Sequence, residues 1–269
     1  MKKIFYCIVV CSSFVANSQI KLSEKEINIK IDSIQKEANL LYGLENAAWK
    51  GSDAINSNYE LKQLMGHYIA YTDGNDFVCS MISNDGGKSL TRFIYDGKTG
   101  NFKKEDDKLR EISSLEKELI NAKNSFIEQV SSKDYEIVIP KDFSLNIVPI
   151  KISNGYKIYV ITGSNDGKII PFGNDYLFYL NTKNEIVKYN KLHKSFIPTN
   201  TKQEGDKLIV SCMHSHVLDY PFISATDICT FKLYSPFNNL EEFHVLSTAL
   251  NGIFTYNLKS NSIEFKKRD

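Results

Sequence analysis

Charge of one sign is what this chain most clearly lacks. Its 269 residues carry 33 Lys and Arg against 32 Asp and Glu, a formal net charge of +1. Proteins that bind nucleic acid or anionic membranes usually concentrate basic residues, so the balance supports neither partner. The sequence also lacks a P-loop, a dinucleotide fingerprint and a G-x-S-x-G elbow. These motifs are the signatures of the best-known nucleotide-binding proteins and serine hydrolases.

Long hydrophobic runs are almost as scarce. Residues 1–18 contain two lysines, an apolar run from Ile4 to about Val15, and then small residues. This order is typical of a secretory signal peptide, with cleavage expected near Ser18–Gln19. The sequence therefore predicts an exported protein, periplasmic or secreted. Beyond residue 18 no stretch is apolar for long enough to span a membrane.

Cysteine is scarce too, with five in the whole sequence, and removal of the signal peptide leaves Cys79, Cys212 and Cys229. Three cysteines do not form a disulfide framework. One bridge is allowed, and Cys212–Cys229 is the pair to test because both residues flank a histidine-containing segment. Cys79 is expected to be a buried, apolar residue.

The remaining sequence predicts a mixed fold of class α+β or α/β, with a mixed β-sheet flanked by helices. Residues 19–133 form a helix-rich N-terminal region of unknown role, and residues 134–269 form a mostly β region. The boundary near residue 133 is soft, and one continuous domain is the alternative. The predicted helices cover residues 20–60, 59–70, 106–132 and 225–235. The predicted strands cover 76–83, 89–96, 135–140, 156–163, 175–181, 185–190, 207–216, 242–250, 252–258 and 262–268.

The segment CMHSHVLDYPFISATD, Cys212–Asp227, has the composition of a metal site. Side chains alternate faces along a strand, so His214 and His216 point the same way. A helix beginning after Ser224 places Asp227 in its first turn. Two nitrogens, one carboxylate oxygen and an open fourth position are the ligand set of a catalytic zinc site. The alternative is an ordinary polar pair, with Asp227 as an acid at a helix N-terminus.

This segment resembles the signature of the JAMM (JAB/MPN-type) metallopeptidases in its spacing. His214 and His216 are separated by one residue, Ser224 follows after seven more, and Asp227 follows after a further two. The flanks KLIVSCM and EFHVLST also resemble that family, and the resemblance covers residues 157–265. It implies one zinc ion per chain, held by His214, His216 and Asp227. It also implies that Ser224 assists the scissile carbonyl, and that the substrate contains a peptide or isopeptide bond.

The family uses a glutamate as general base, and the matching stretch GNDYLFYLN has Asp175 in that place. Aspartate keeps the carboxylate but is one methylene shorter. Glu185 and Glu136 are the nearest other carboxylates. His193, which precedes the motif strand, could approach the pocket or could be an ordinary loop residue.

Two functions follow from the resemblance. One is an exported zinc hydrolase, and the alternative is a catalytically weak or inactive JAMM-like binding protein. A zinc-free domain in which the spacing is coincidental is a third possibility.

Overall fold

The computed structural model describes residues 21–133, 135–202, 209, 211–216 and 220–268. The predicted signal peptide, residues 1–18, lies outside them. The helices are α1 (Glu24–Asn56), α2 (Tyr59–Leu64), α3 (Ser114–Ser132) and α4 (Ala225–Tyr234). The strands of the N-terminal half are β1 (Met65–Asp73), β2 (Asp76–Ser83), β3 (Lys88–Tyr95), β4 (Phe102–Asp106) and β5 (Arg110–Glu111). The later strands are β6 (Phe143–Ile152), β7 (Gly155–Ser164), β8 (Ile169–Gly173), β9 (Tyr176–Leu180), β10 (Ile186–Lys191), β11 (Phe196–Asn200), β12 (Ser211–His216), β13 (Glu242–Ser247), β14 (Gly252–Asn257) and β15 (Ser262–Lys267). The protein is therefore α+β, with several sheets.

Four sheets are formed by these strands. The first runs β1-β2-β3-β4, with β5 pairing to β3, and the second runs β10-β9-β7-β6. Strands β8 and β11 pair with each other, and the last sheet runs β12-β13-β14-β15. All the pairs are antiparallel except β12 with β13. Because parallel neighbours need a crossover connection, α4 makes that connection, and the predicted order of strand, helix and strand is confirmed.

Three of the helices begin with the same local device. Each has a serine N-cap and an acidic third residue that hydrogen-bonds back to the serine, a capping box. The pairs are Ser23 with Glu26 in α1, Ser113 with Glu116 in α3, and Ser224 with Asp227 in α4. In α1 the apolar residues at helical spacing are buried, namely Ile27, Ile31, Ile34, Ala38 and Leu41.

A shared hydrophobic core joins α1 to the C-terminal half. Leu41 and Leu44 of α1 belong to the same buried cluster as Ile228 and Phe231 of α4. Trp49 packs edge-on against Tyr234, with ring centroids 5.1 Å apart. Apolar contacts therefore cross residue 133, although the position of a domain boundary stays a prediction. Among the described helices, none is both long and apolar enough to cross a membrane.

Several predicted elements are wrong in their bounds. The second helix ends at Leu64, because the following residues pair with β2 along the whole of β1. The third helix was predicted to begin near residue 106, but it begins at Ser114, because Ser113 provides its N-cap. Residues 135–140 form no strand. Instead, the carbonyls of Glu136 and Val138 accept hydrogen bonds from the side chains of Tyr176 and Asn174. Strands β1, β4, β5, β6, β8 and β11 were not predicted.

The proposed bridge between Cys212 and Cys229 is also wrong. Both residues are free and buried, as is Cys79. Cys212 lies on β12 and Cys229 lies inside α4, and both belong to the large apolar cluster. The described cysteines therefore act as small apolar residues.

Candidate metal centre

Strand β12 presents its two histidines to the protein interior. Burial alternates along the strand, so that Cys212, His214 and His216 are buried while Met213 and Ser215 are exposed. Parallel pairing with β13 fixes this register. The prediction that the two imidazoles share one face is confirmed.

Helix α4 delivers the carboxylate through its capping box. The Asp227 amide donates to Ser224 Oγ at 3.0 Å, and the Ser224 amide donates to Asp227 Oδ2 at 2.8 Å. Oδ2 therefore accepts a hydrogen bond from the backbone at the start of α4. The other, Oδ1, is fully buried and has no hydrogen-bond partner among the described groups. This oxygen faces the histidines.

A third histidine completes the cluster. His193 lies between β10 and β11, and its Nε2 is 2.9 Å from Asp227 Oδ1. His214 Nε2 is 3.2 Å from the same oxygen, and His216 Nε2 is 3.3 Å from Oδ2. His193 was not predicted as a ligand, because no local spacing connects a loop residue to a strand about twenty residues later.

The four side chains have the arrangement of a metal site. Ligand atoms of His193, His214, His216 and Asp227 all lie within 4.8 Å of one another. The His216 Nε2 is 3.0 Å from the Nε2 of each of the other two histidines. A tetrahedral ion with bonds of about 2.0–2.1 Å needs ligand atoms about 3.3 Å apart. The cluster is therefore close to the required size, and this group could hold a metal ion.

The ring of His216 is held in a tautomer that suits a ligand. Its Nδ1 lies 2.6 Å from the carbonyl oxygen of Phe222, which can only accept a hydrogen bond. Nδ1 therefore carries the proton, and in the neutral ring the lone pair of Nε2 points into the cluster. Metal-ligating histidines usually have such a partner on the other ring nitrogen.

The carboxylate and the imidazoles stabilise each other's charge. Burial alone would raise the pKa of Asp227, but His193, His214 and His216 outweigh burial and hold the pKa well below its usual range. Burial lowers the pKa of His193, but Asp227 and Asp175 outweigh it and raise that pKa to about 10. The site therefore concentrates an anionic oxygen opposite three nitrogens, which is the electrostatic setting of a cation site.

A cavity of about 680 Å³ opens on the histidines. Its walls include His193, His214 and His216 together with Glu136 and Lys194. The volume is in the range of small-molecule and peptide side-chain pockets. A ligand could therefore reach the imidazole side of the cluster, while Asp227 lies behind it.

The two residues assigned to catalysis by resemblance adjoin the cluster but are not on the described wall of the cavity. Asp175 is 1 % exposed and Ser224 is fully buried, and neither belongs to the described lining of the cavity. Ser224 Oγ caps α4 and lies 2.9 Å from Thr226 Oγ1. Asp175 Oδ2 lies 3.3 Å from His193 Nδ1. The catalytic roles of both residues stay predictions.

Glu136 and Glu185, the two alternative carboxylates, lie in different places. Glu136 lines the cavity with the histidines. Glu185 contacts Asn181 in the turn before β10, where the side-chain amide donates to Glu185 Oε2 at 2.7 Å. Of these two, only Glu136 is among the described residues that line the same cavity as the histidines.

Comparison with known proteins yields no relative. No family model matches the chain, no curated protein matches it, and no solved structure matches it. The case for a metal centre therefore depends on the donor atoms themselves.

Proposed function

We propose that this chain is an exported zinc-binding protein whose ligands are His193, His214, His216 and Asp227. The proposal depends on one observation, the convergence of three imidazole nitrogens and one buried carboxylate oxygen. Nitrogen and oxygen donors in a tetrahedral arrangement suit zinc. Other divalent transition metals accept the same donors, with affinities that depend on geometry.

Metal content tests this proposal directly. Protein purified and supplemented with zinc is expected to hold about one ion per chain by elemental analysis. The variants His214→Ala and Asp227→Asn are expected to lose it. His244→Ala is a matched control, because His244 lies on β13 and its Nδ1 contacts Thr255 Oγ1 instead of the cluster. Wild-type protein without bound metal would contradict the proposal.

We further propose that the zinc serves hydrolysis of a peptide or isopeptide bond, as the JAMM-like spacing implies. The observation that favours catalysis is the cavity, which gives a substrate access to three of the four ligands. Zinc supplies a Lewis acid that activates water and polarises a carbonyl. We assign the role of proton acceptor to Glu136, because it is a carboxylate that lines the same cavity as the histidines.

A second candidate is a zinc-binding protein without catalytic activity. The observation that favours it is His193, which takes the fourth position that a catalytic zinc site leaves open. Structural zinc sites are usually closed by four protein ligands in this way. His193 therefore decides between the two candidates.

Turnover of peptide and isopeptide libraries by zinc-loaded protein separates them. A hydrolase is expected to show turnover that His214→Ala abolishes and that Glu136→Gln lowers by about 100-fold or more. A closed site is expected to give no turnover in wild-type protein. If His193→Ala then creates activity, His193 blocks the open position.

A further inference from the structure

Asp175 is held against the segment that carries His193. The Leu192 amide donates to the Asp175 carbonyl at 2.9 Å. On the other side of His193, Phe196 pairs with Gly173. A Cβ at Gly173 would lie 2.2 Å from the Ser195 carbonyl oxygen, so only glycine permits this approach. Backbone contacts before and after His193 therefore fix its distance from Asp175.

A polar turn fixes the backbone just before Asp175. Gly173 and Asn174 both have positive φ, 76° and 57°, which glycine and asparagine tolerate best. The side-chain Nδ2 of Asn174 donates to the Val138 carbonyl at 2.7 Å, and its Oδ1 accepts from the Tyr176 hydroxyl at 2.9 Å. These bonds hold the backbone on both sides of Asp175, which directly precedes β9.

The Asp175 carboxylate is buried and underused. It is 1 % exposed, and its Oδ1 has no hydrogen-bond partner within the described chain. Burying a carboxylate is costly unless charge or hydrogen bonds compensate. The contact of Oδ2 with His193 Nδ1, at 3.3 Å, is at ion-pair distance but is not a hydrogen bond, and Nδ1 has no hydrogen-bond partner among the described groups.

His193 stands between this carboxylate and the candidate metal position. While Nδ1 faces Asp175, Nε2 lies 2.9 Å from Asp227 Oδ1 and 3.0 Å from His216 Nε2. A carboxylate beside Nδ1 keeps the proton there, leaves the Nε2 lone pair for the metal, and makes the imidazole a stronger donor. A general base would have to reach the cavity instead, and the described cavity wall does not include Asp175.

We propose that Asp175 is a positioning residue, which orients His193 as a metal ligand and acts on the metal only through that ring. This inference rests on the zinc-binding function proposed above. It assigns the carboxylate a role in metal affinity rather than in proton transfer from water.

Zinc affinity, measured by chelator competition on the apo protein, tests the role. Asp175→Ala is expected to weaken binding about 10–100-fold. Asp175→Asn keeps an acceptor oxygen for Nδ1 and is expected to lose less. Glu45→Gln is the matched control, since Glu45 is a buried acid whose partner is Asn146, and its affinity should equal that of wild type.

A double-mutant cycle separates positioning from general damage to the fold. If Asp175 acts only through His193, then Asp175→Asn in a His193→Ala background is expected to cause no further loss of affinity. Additive losses would overturn the inference, as would wild-type affinity in both Asp175 variants. If wild-type protein binds no zinc at all, the proposed function fails, which is a different result from zinc binding that is indifferent to Asp175.

Cobalt substitution adds a spectroscopic readout. Co²⁺ in the site is expected to give the intense visible bands of a four-coordinate ion. Asp175→Asn should keep the band pattern at weaker affinity, whereas His193→Ala should change it because a ligand is lost. Should Asp175→Ala fail to fold, Asp175→Asn still decides the outcome. A cobalt spectrum unchanged in His193→Ala would contradict the inference.

Discussion

Glu116 and Asp227 occupy the same place in two different helices. Each is the third residue after a serine N-cap, each hydrogen-bonds back to that serine's amide, and each has a fully buried side chain. Their partners differ. Arg110 donates to both oxygens of Glu116, at 2.7 and 2.8 Å, and Tyr71 adds a third side-chain donor at 3.1 Å. Asp227 meets three imidazoles instead.

The difference concerns how the buried charge is compensated. A guanidinium is always protonated and matches a carboxylate with two parallel bonds, so Glu116 needs nothing from outside the chain. An imidazole, unlike a guanidinium, can give up its proton to bind a metal ion, and two imidazoles cannot both point lone pairs at each other without a proton or a cation between them. The same capping box therefore carries a fully compensated ion pair in α3. In α4 it carries a group of donor atoms that could hold a metal ion.

The largest expected effect is that of zinc on stability. A ligand at 1,000 times its Kd stabilises the folded state by about 4 kcal/mol, so saturating zinc should raise Tm by about 5–15 °C. Asp227→Asn is expected to abolish this rise, and Glu116→Gln is expected to keep it. Differential scanning calorimetry with and without zinc measures both. An equal zinc response in the two variants would remove the contrast between the acids.

The next largest expected effect is the pH dependence of the stability that the Glu116–Arg110 pair provides. Burial alone would raise the pKa of Glu116, but Arg110 and Ser113 outweigh it and lower that pKa to about 2. Since the folded pKa is below the unfolded value, the stabilisation is complete above about pH 4.5 and is lost as pH falls toward 2. Glu116→Gln should cost about 3 kcal/mol at pH 7 and much less at pH 2.5.

Urea unfolding at the two pH values measures that loss. Glu26→Gln is the control, because Glu26 has the same position in α1 and the same bond from its serine amide, at 2.8 Å, but is exposed. A loss at Glu26 as large as at Glu116 would mean that the capping box, and not Arg110, stabilises the buried acid.

Glu45 adds a third kind of buried acid to the comparison. It is 3 % exposed and accepts one neutral hydrogen bond, from Asn146 at 2.7 Å. Burial dominates and raises its pKa to about 7, despite Asn146 and Lys123. Because the folded pKa is above the unfolded value, the contribution of Glu45 to the free energy of unfolding falls as pH rises from about 4.5 through 7. Glu45→Gln should therefore stabilise the protein by about 3 kcal/mol at pH 8 and change little at pH 4.

Thermal unfolding at pH 4 and pH 8 checks this expectation. The amide introduced by Glu45→Gln would keep an oxygen acceptor for Asn146, so the change isolates the buried charge. Destabilisation at pH 8 would show that Glu45 has a compensating cation when ionised and resembles Glu116 more than it resembles an isolated acid.

Local periodicity explains which parts of the site were predictable. Strand alternation fixes His214 and His216 on one face, and the capping-box spacing fixes Asp227 in the first turn of α4. Both depend only on neighbouring residues. The S-x-x-D spacing also has a purely structural reason, so it could not by itself distinguish a helix cap from a family signature.

His193 and the N-terminal sheet depended on long-range pairing. His193 reaches the cluster because β11 pairs with β8 and Leu192 bonds to the carbonyl of Asp175, and neither contact leaves a local pattern. Residues 65–70 of β1 were predicted as helix because their propensity is ambiguous, while pairing with β2 decides their state. Tertiary contacts therefore brought His193 to the cluster and formed the unpredicted strands.

The smallest expected effect compares the two serine caps. Ser113→Ala and Ser224→Ala should each cost about 1 kcal/mol of stability, because each removes a side-chain acceptor for the third amide of its helix. Only Ser224→Ala should also weaken zinc binding, by a few-fold, because its helix start carries a ligand. The Ser224 amide still donates to Asp227 Oδ2 in that variant, and therefore the ligand should be loosened rather than lost. Chelator competition measures the affinity. If the variant instead keeps full zinc affinity and loses all hydrolytic turnover, Ser224 acts on the substrate, and the capping box at α4 has a chemical role that the one at α3 lacks.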